Sequence, residues 1–161
     1  MAKLYLICGK VCSGKTHYAR ALQARTGAVL FSCDELILRM FPEDLGDRLE
    51  EISAAAREYL LARALETVRA GAGAILDWGF WDAAARAAVT ARAREVGCAC
   101  EWHYIDVSDA VWAERIRTRN ARIARGEALD YLVDEGLRAK CLDLFVPPDP
   151  ADMDVWVRDG A

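Results

Sequence analysis

Two hydrophobic rhythms alternate along this chain. Short, nearly unbroken apolar runs occur at 3–8 (Lys3-Leu4-Tyr5-Leu6-Ile7-Cys8), 28–32, 74–76, 100–105 and 154–157. Rich in β-branched and aromatic residues, they predict five strands, the last at an edge. Between them lie stretches with helical spacing. The first covers 15–25, with Tyr18, Ala19, Ala21 and Leu22 apolar or small and Gly27 as its stop. The second covers 50–70, with Ile52, Tyr59, Leu60, Ala64 and Leu65 spaced for one face and Gly71 ending it. Further helices are expected over 82–95, stopped by Gly97, and over 108–124, with Ser108 as N-cap and Gly126 as breaker. A last one is expected over 132–144, before Pro147-Pro148. The second strand should end at Cys33-Asp34-Glu35, and 40–48, with Pro42, Gly46 and several acids, reads as a loop. Alternating strands and helices predict an α/β fold: a five-stranded, mostly parallel sheet with helices on both faces and a ligand at the carboxyl ends of the strands. No repeat or low-complexity linker divides the chain, so residues 1–161 are expected to form one domain.

The junction of the first strand and first helix carries chemistry. Gly9-Lys10-Val11-Cys12-Ser13-Gly14-Lys15-Thr16 fits G-x-x-x-x-G-K-[ST] at every fixed position. Glycines let the backbone wrap a phosphate with its N–H groups inward, and the helix adds the positive end of its dipole. Lys15 is expected to reach the β- and γ-phosphates, and the Thr16 hydroxyl to ligate Mg²⁺. The strand–loop–helix context is the one this motif requires.

Composition narrows the partners. The 161 residues carry a net charge of −4, which argues against a nucleic-acid backbone as main partner. No stretch reaches 18 continuous apolar residues, and no basic segment followed by an apolar one opens the chain. A soluble, cytoplasmic protein is therefore expected. Cys8, Cys12, Cys33, Cys98, Cys100 and Cys141 form no C-x-x-C and no zinc-finger spacing with histidine, so small core residues in a reducing compartment are expected. Cys12 stands apart, inside the loop near a helix N-terminus where thiol pKa values tend to fall.

Two acids lie at expected strand ends. Asp77 follows Ala74-Ile75-Leu76, where an acid commonly holds Mg²⁺ or its water beside a phosphate loop. Asp34 could take a proton from an attacking hydroxyl, or steer Mg²⁺. Phosphoryl transfer needs cations that close over the phosphates, and Arg115, Arg117, Arg119, Arg122 and Arg125 crowd one segment. Arg115, Arg119 and Arg122 share a helical face, beside an apolar face of Trp112, Ile116 and Ile123, and Gly126 then breaks the helix. That pattern predicts an arginine-rich lid over about 115–130. Trp78, Phe80 and Trp81 follow Asp77 and are candidates to line the cleft mouth, though core packing explains them equally well. His17 and His103 have no partner pattern for a triad or a metal.

With these residues in view, the chain resembles the small P-loop kinases, above all the grouping of zeta toxins, chloramphenicol phosphotransferases and polynucleotide kinases. The resemblance rests on Leu6-Ile7-Cys8-Gly9 with Ser13-Gly14-Lys15-Thr16, on Ser32-Cys33-Asp34-Glu35-Leu36, and on Leu76-Asp77-Trp78-Gly79-Phe80-Trp81 with Arg86. Arg115, Arg119-Asn120 and Arg122 resemble its lid arginines, and Phe145-Val146-Pro147-Pro148 its C-terminal landmark. It implies a three-layer P-loop kinase fold, ATP, Mg²⁺ and γ-phosphoryl transfer to a hydroxyl. Asp34 is then the base, Lys15, Arg119 and Arg122 stabilise charge, Thr16 and Asp77 hold the metal, and Trp78, Phe80, Trp81 and Arg86 meet the acceptor. Lys10, Val11 and Cys12 stand where smaller residues are common, and Ile37 stands where an arginine is frequent, a place Arg39 could take. A nucleotide-driven switch without an acceptor and a nucleic-acid end kinase are the competing readings. No N-K-x-D segment supports a GTPase, since Asn120 is followed by Ala-Arg.

Overall fold

β1 (Leu4–Cys8) lies at the centre of the sheet because its strand is apolar on both sides. Leu4, Leu6 and Cys8 face one layer, while Tyr5 and Ile7 face the other. The computed structural model describes residues 2–41 and 45–159. The chain runs β1, α1 (Lys15–Thr26), β2 (Val29–Ser32), α2 (Cys33–Met40), α3 (Leu49–Arg69), β3 (Ala74–Asp77), α4 (Ala83–Glu95), β4 (Cys100–Asp106), α5 (Asp109–Ala124), α6 (Glu135–Leu144) and β5 (Val155–Arg158). All five strands pair in parallel, in the order β2-β3-β1-β4-β5. The helix α1 covers one face through Tyr18, Ala19 and Leu22, and Leu60, Leu61, Ala64 and Leu65 of α3 with Val89 and Ala93 of α4 cover the other. The result is the three-layer α/β arrangement of P-loop kinases.

Several local expectations change. Residues 33–40 form a helix where the sequence places a strand end over 33–35, no element over 36–39 and the start of a loop at 40. Ser32 caps it, its hydroxyl accepting from the Glu35 amide at 3.4 Å, and Cys33 and Ile37, one turn apart, bury its inner face. Part of the expected 40–48 loop is a 3₁₀ turn, Gly46–Arg48, and Pro42 with the rest of 42–44 lies outside the described residues. Tyr59 is 61% exposed, because the buried stripe of α3 runs through Leu60, Leu61, Ala64, Leu65 and Val68 instead. Ser108 precedes α5 as expected, but its hydroxyl makes no cap; its amide donates to the Asp159 carboxylate at 2.7 Å. The last helix starts later than expected, after an Asp134 cap.

His103 is buried in β4 and is satisfied there. Burial pushes its pKa below the ordinary value, against the pull of Glu101. The neutral ring accepts from the Tyr18 hydroxyl at Nδ1 (2.8 Å) and donates from Nε2 to Glu101 (3.1 Å), which also pairs with Lys3 at 2.5 Å. All six cysteines are free, with Cys8, Cys33, Cys98 and Cys141 buried. Among the described residues, no helix is long and apolar enough to cross a membrane.

Candidate active site

Where β1 ends, the backbone turns through Gly9 and Gly14. Gly9 has φ 156°, and a Cβ there would lie 2.7 Å from Ser13 Oγ and 2.9 Å from the Ile105 carbonyl oxygen. Gly14 has φ 97°, and a Cβ would meet the Arg115 guanidinium at 2.7 Å. Glycine is the residue that fits both. Cys12 takes the left-handed conformation between them at φ 59°. α1 starts at Lys15 without a side-chain cap and without an acid in its first turn, so no protein side chain neutralises its N-terminal amides. Lys15 Nζ donates across the loop to the Lys10 carbonyl at 2.6 Å. Ser13 Oγ is buried and has no hydrogen-bond partner.

The loop's outer side is held by α5. Trp112, 1% exposed, donates from Nε1 to the Val11 carbonyl at 2.7 Å, and Arg115 donates to the Ser13 carbonyl. Lys10 and Arg138 stack over the Trp112 ring at 4.8 and 5.3 Å. The Gly9 and Ser13 amides donate within the protein, to the Gly79 and Lys10 carbonyls at 3.2 Å each, so the amides of 14–16 at the start of α1 are the ones placed for a ligand. Trp112→Phe keeps most of the apolar bulk but strands the Val11 carbonyl. Loss of about 1 kcal/mol, or roughly 2–4 °C in Tm, is expected, with a several-fold weaker nucleotide Kd. A thermal melt and a nucleotide titration check both.

The two acids arrive beside the loop by different routes. Asp77 ends β3 in register with Ile7 and Ser32, 3% exposed. Burial pushes its carboxyl up; Lys15 and hydrogen bonding from Thr16 and Ser32 pull it down, while Asp34 pushes it further up. Its Oδ2 is buried and has no partner. Asp34 lies in the first turn of α2, accessible from the cleft. Its pKa is raised by the surrounding protein, against Lys15, Arg119 and Arg57. The Lys15 ammonium is in turn lowered by burial, against Asp77 and Asp34. An unsatisfied Asp77 oxygen beside the Thr16 hydroxyl suits a hard cation such as Mg²⁺. Among the described residues no three His, Cys, Asp or Glu side chains gather for a metal, so an ion here needs Thr16 and ligand phosphates as well.

The arginine segment divides. Residues 115–124 continue α5, anchored by buried Trp112, and the non-helical part of the expected 115–130 segment begins at Arg125. Arg119 pairs with Asp130 and acts on Asp34, with its Nε buried and unpartnered. Arg122 is exposed, Arg117 pairs with Glu114, and Arg125 pairs with Glu127. Asn120 clamps Val133, donating to its carbonyl (2.9 Å) and accepting from its amide (3.0 Å).

The expected acceptor residues are mostly not brought together. Trp78 and Phe80, 7% and 4% exposed, stack on each other inside the core, with Phe80 edge-on to Trp102. Both lie beyond the end of β3, and the left-handed backbone at Phe80 (φ 47°) turns its ring inward beside Trp78. Arg86 is buried too, donating to the Phe80 carbonyl at 2.9 Å, so it latches this loop from behind. Trp81 is half-buried, and its carbonyl accepts from the Val146 amide at 2.7 Å. Arg39 is exposed and paired with Glu35 at 2.9 Å. Phe145, of the C-terminal landmark, stacks on Tyr104. Sequence reasoning missed Arg57, Asp130 and Tyr131 at the cleft, and the support given by Trp112. The Trp112 signal was present: it precedes Arg115 and Arg119 by three and seven residues on one helical side.

Residues 4–144 match the family described as AAA domain. Among solved structures, a candidate kinase from Chloroflexus aurantiacus J-10-fl superposes with TM-score 0.74 at 19% identity, over 98% of this chain and 84% of that one. Kti12 of Chaetomium thermophilum, in complex with ADP-AlF3, gives 0.71 at 18% identity over 96% and 87%. The APS kinase of Mycobacterium tuberculosis, in complex with AMPPNP and APS, gives 0.61 at 16% over 98% and 88%. At these identities the likeness is one of fold. No curated protein matches the chain.

Proposed function

We propose, for a chain that belongs to the AAA domain family, transfer of the γ-phosphoryl group of ATP to a hydroxyl of a small molecule. Asp34 carries this reading. Its carboxylate faces the Lys15 end of the cleft and, among the described residues, makes no hydrogen bond or ion pair. A base with a raised pKa and no partner, across from a phosphate loop, is suited to an incoming hydroxyl. The amides of 14–16 and the Lys15 side chain hold the β- and γ-phosphates. Thr16 and Asp77 hold Mg²⁺, which when bound offsets the negative charge of the phosphates. As the acceptor oxygen bonds to the γ-phosphorus, Asp34 takes its proton, and the bond to the β-phosphate oxygen breaks to release ADP. Arg119 faces the developing charge. The 115–130 segment serves as the lid, and Arg122 reaches the phosphates only on closure. Trp81 and Arg39 remain candidates at the acceptor rim, whereas Trp78, Phe80 and Arg86 support it from behind. Within the kinases, segments 32–36 and 145–148 favour the zeta toxin, chloramphenicol phosphotransferase and polynucleotide kinase grouping. Six free thiols suit a reducing compartment such as the cytoplasm.

The fold likeness to Kti12 favours a second reading, a nucleotide-driven switch without an acceptor. Following ADP release with and without a desalted metabolite pool separates the two. At least roughly ten-fold faster ADP release with the pool, together with a new phosphorylated product, is expected. Equal turnover with and without it favours the switch.

A further inference from the structure

Three cations and a phenol converge near Asp34 from four places in the fold. Lys15 comes from α1, Arg57 from α3 and Arg119 from α5, and each acts on the Asp34 carboxyl. Tyr131 comes from the loop between α5 and α6. Burial first, then the charge of Asp34, pushes its phenol up to about 12. None of the four forms a hydrogen bond or ion pair with Asp34, which is itself exposed to the cleft.

The elements that carry these groups are held in place. Cys33 donates from Sγ to the Ser53 carbonyl at 3.8 Å, one turn before Arg57, which locks α2 against α3. The clamp of Asn120 on Val133 and the pairing of Asp130 with Arg119 hold the loop on both sides of Tyr131. Yet the Tyr131 hydroxyl is buried without a partner, and so is Arg119 Nε. Arg57 is half-buried and, among the described residues, has no hydrogen bond or ion pair. Native structures rarely leave buried polar groups unsatisfied, so each of these calls for a partner that the protein does not supply. The nucleotide does not need Arg57 or Tyr131, since the phosphate loop supplies its own donors and Lys15.

We propose that Arg57 and Tyr131 form an acceptor subsite, and that the acceptor is a small hydroxyl compound bearing its own carboxylate or phosphate group. The inference rests on the phosphotransferase reading above. Arg57 grips the anion through its planar fork of donors, Tyr131 donates to the acceptor, and the acceptor's hydroxyl is left at Asp34. A neutral acceptor leaves the Arg57 donor fork without a hydrogen-bond partner once the cleft closes, and a site of buried donors rejects molecules that cannot pair with them.

The test loads the full chain with Mg²⁺ and AMPPNP and titrates matched probes by calorimetry: gluconate against glucitol, and glucose 6-phosphate against glucose. At least one charged member is expected to bind about ten-fold tighter than its neutral partner, and which pair responds tells carboxylate from phosphate. Arg57→Leu should erase that preference with AMPPNP affinity unchanged. Tyr131→Phe should weaken the charged probe with no loss of Tm, because its hydroxyl has no protein partner to lose. If Arg57→Leu does not fold, Arg57→Gln takes its place. Neutral probes binding as well as charged ones, no probe binding to AMPPNP-loaded protein, or a preference that survives loss of Arg57 each overturns the subsite. Failure of AMPPNP itself to bind overturns the phosphotransferase reading beneath it.

Discussion

Asp34→Asn should leave ATP affinity near that of the unchanged protein while phosphoryl transfer falls by about 10²- to 10⁴-fold. The substitution keeps the shape of the side chain in the first turn of α2 and removes the proton acceptor. It also removes the negative charge facing Lys15, so nucleotide binding should, if anything, tighten. The pH profile separates a base from a structural carboxylate. The surrounding protein holds the Asp34 pKa above the usual carboxylate value, against the pull of Lys15, Arg119 and Arg57. A base acts only when ionised, so kcat should fall as pH drops through this raised pKa. The asparagine variant should lose that acidic limb together with the rate. If ATP binding is lost and transfer is kept, Asp34 is a structural or metal-side residue.

Lys15→Ala should abolish most nucleotide binding and nearly all turnover. The ammonium donates to the Lys10 carbonyl across the loop and lies between Asp77 and Asp34, where a γ-phosphate would replace the lost solvent. Its charge-assisted contact to phosphate contributes about 1.5–3 kcal/mol in the ground state, roughly ten- to a hundred-fold in Kd. The loss in kcat should be larger, since charge on the transferring group is spread most widely in the transition state. Lys15→Met, which keeps the stem but not the charge, separates the loss of the ammonium from the loss of side-chain packing. ATP affinity and turnover that survive in both variants would remove the phosphate-loop assignment.

What could be read from the sequence was local. β1, the phosphate loop and the start of α1 are adjacent in the chain, and each residue type reports its own backbone need. Asp77 was equally legible, because an acid closing an apolar strand lies at the sheet's carboxyl edge by construction. α2 escaped notice although Ser32 and Glu35 stand at capping distance, because eight residues are too few for a helical period to show. The aromatic trio was ambiguous for a different reason. All three lie beyond β3, and the inward turn of the Phe80 ring comes from a left-handed backbone residue that leaves no period in the sequence. Arg57 was invisible. It lies in an alanine-rich stretch of α3, and only the packing of α2 on α3 brings it to Asp34. The lid arginines were recognised as a cluster, but their division among Ser13, Asp130, Glu114 and Glu127 depends on folded distances.

The contacts of α5 give the protein a mechanical lever. Trp112 grips the phosphate loop from one point on this helix, and Asn120 grips Val133 from another, eight residues on, about 12 Å along the axis. A helix segment of that length is stiff, so a small tilt at the loop must reappear at the far grip. Hydrogen exchange can read it there, because the Val133 amide is bonded to Asn120 Oδ1 rather than to a strand or helix ladder. AMPPNP bound at the loop should slow exchange at that one amide, and Asn120→Ala should leave nucleotide binding intact while erasing the signal.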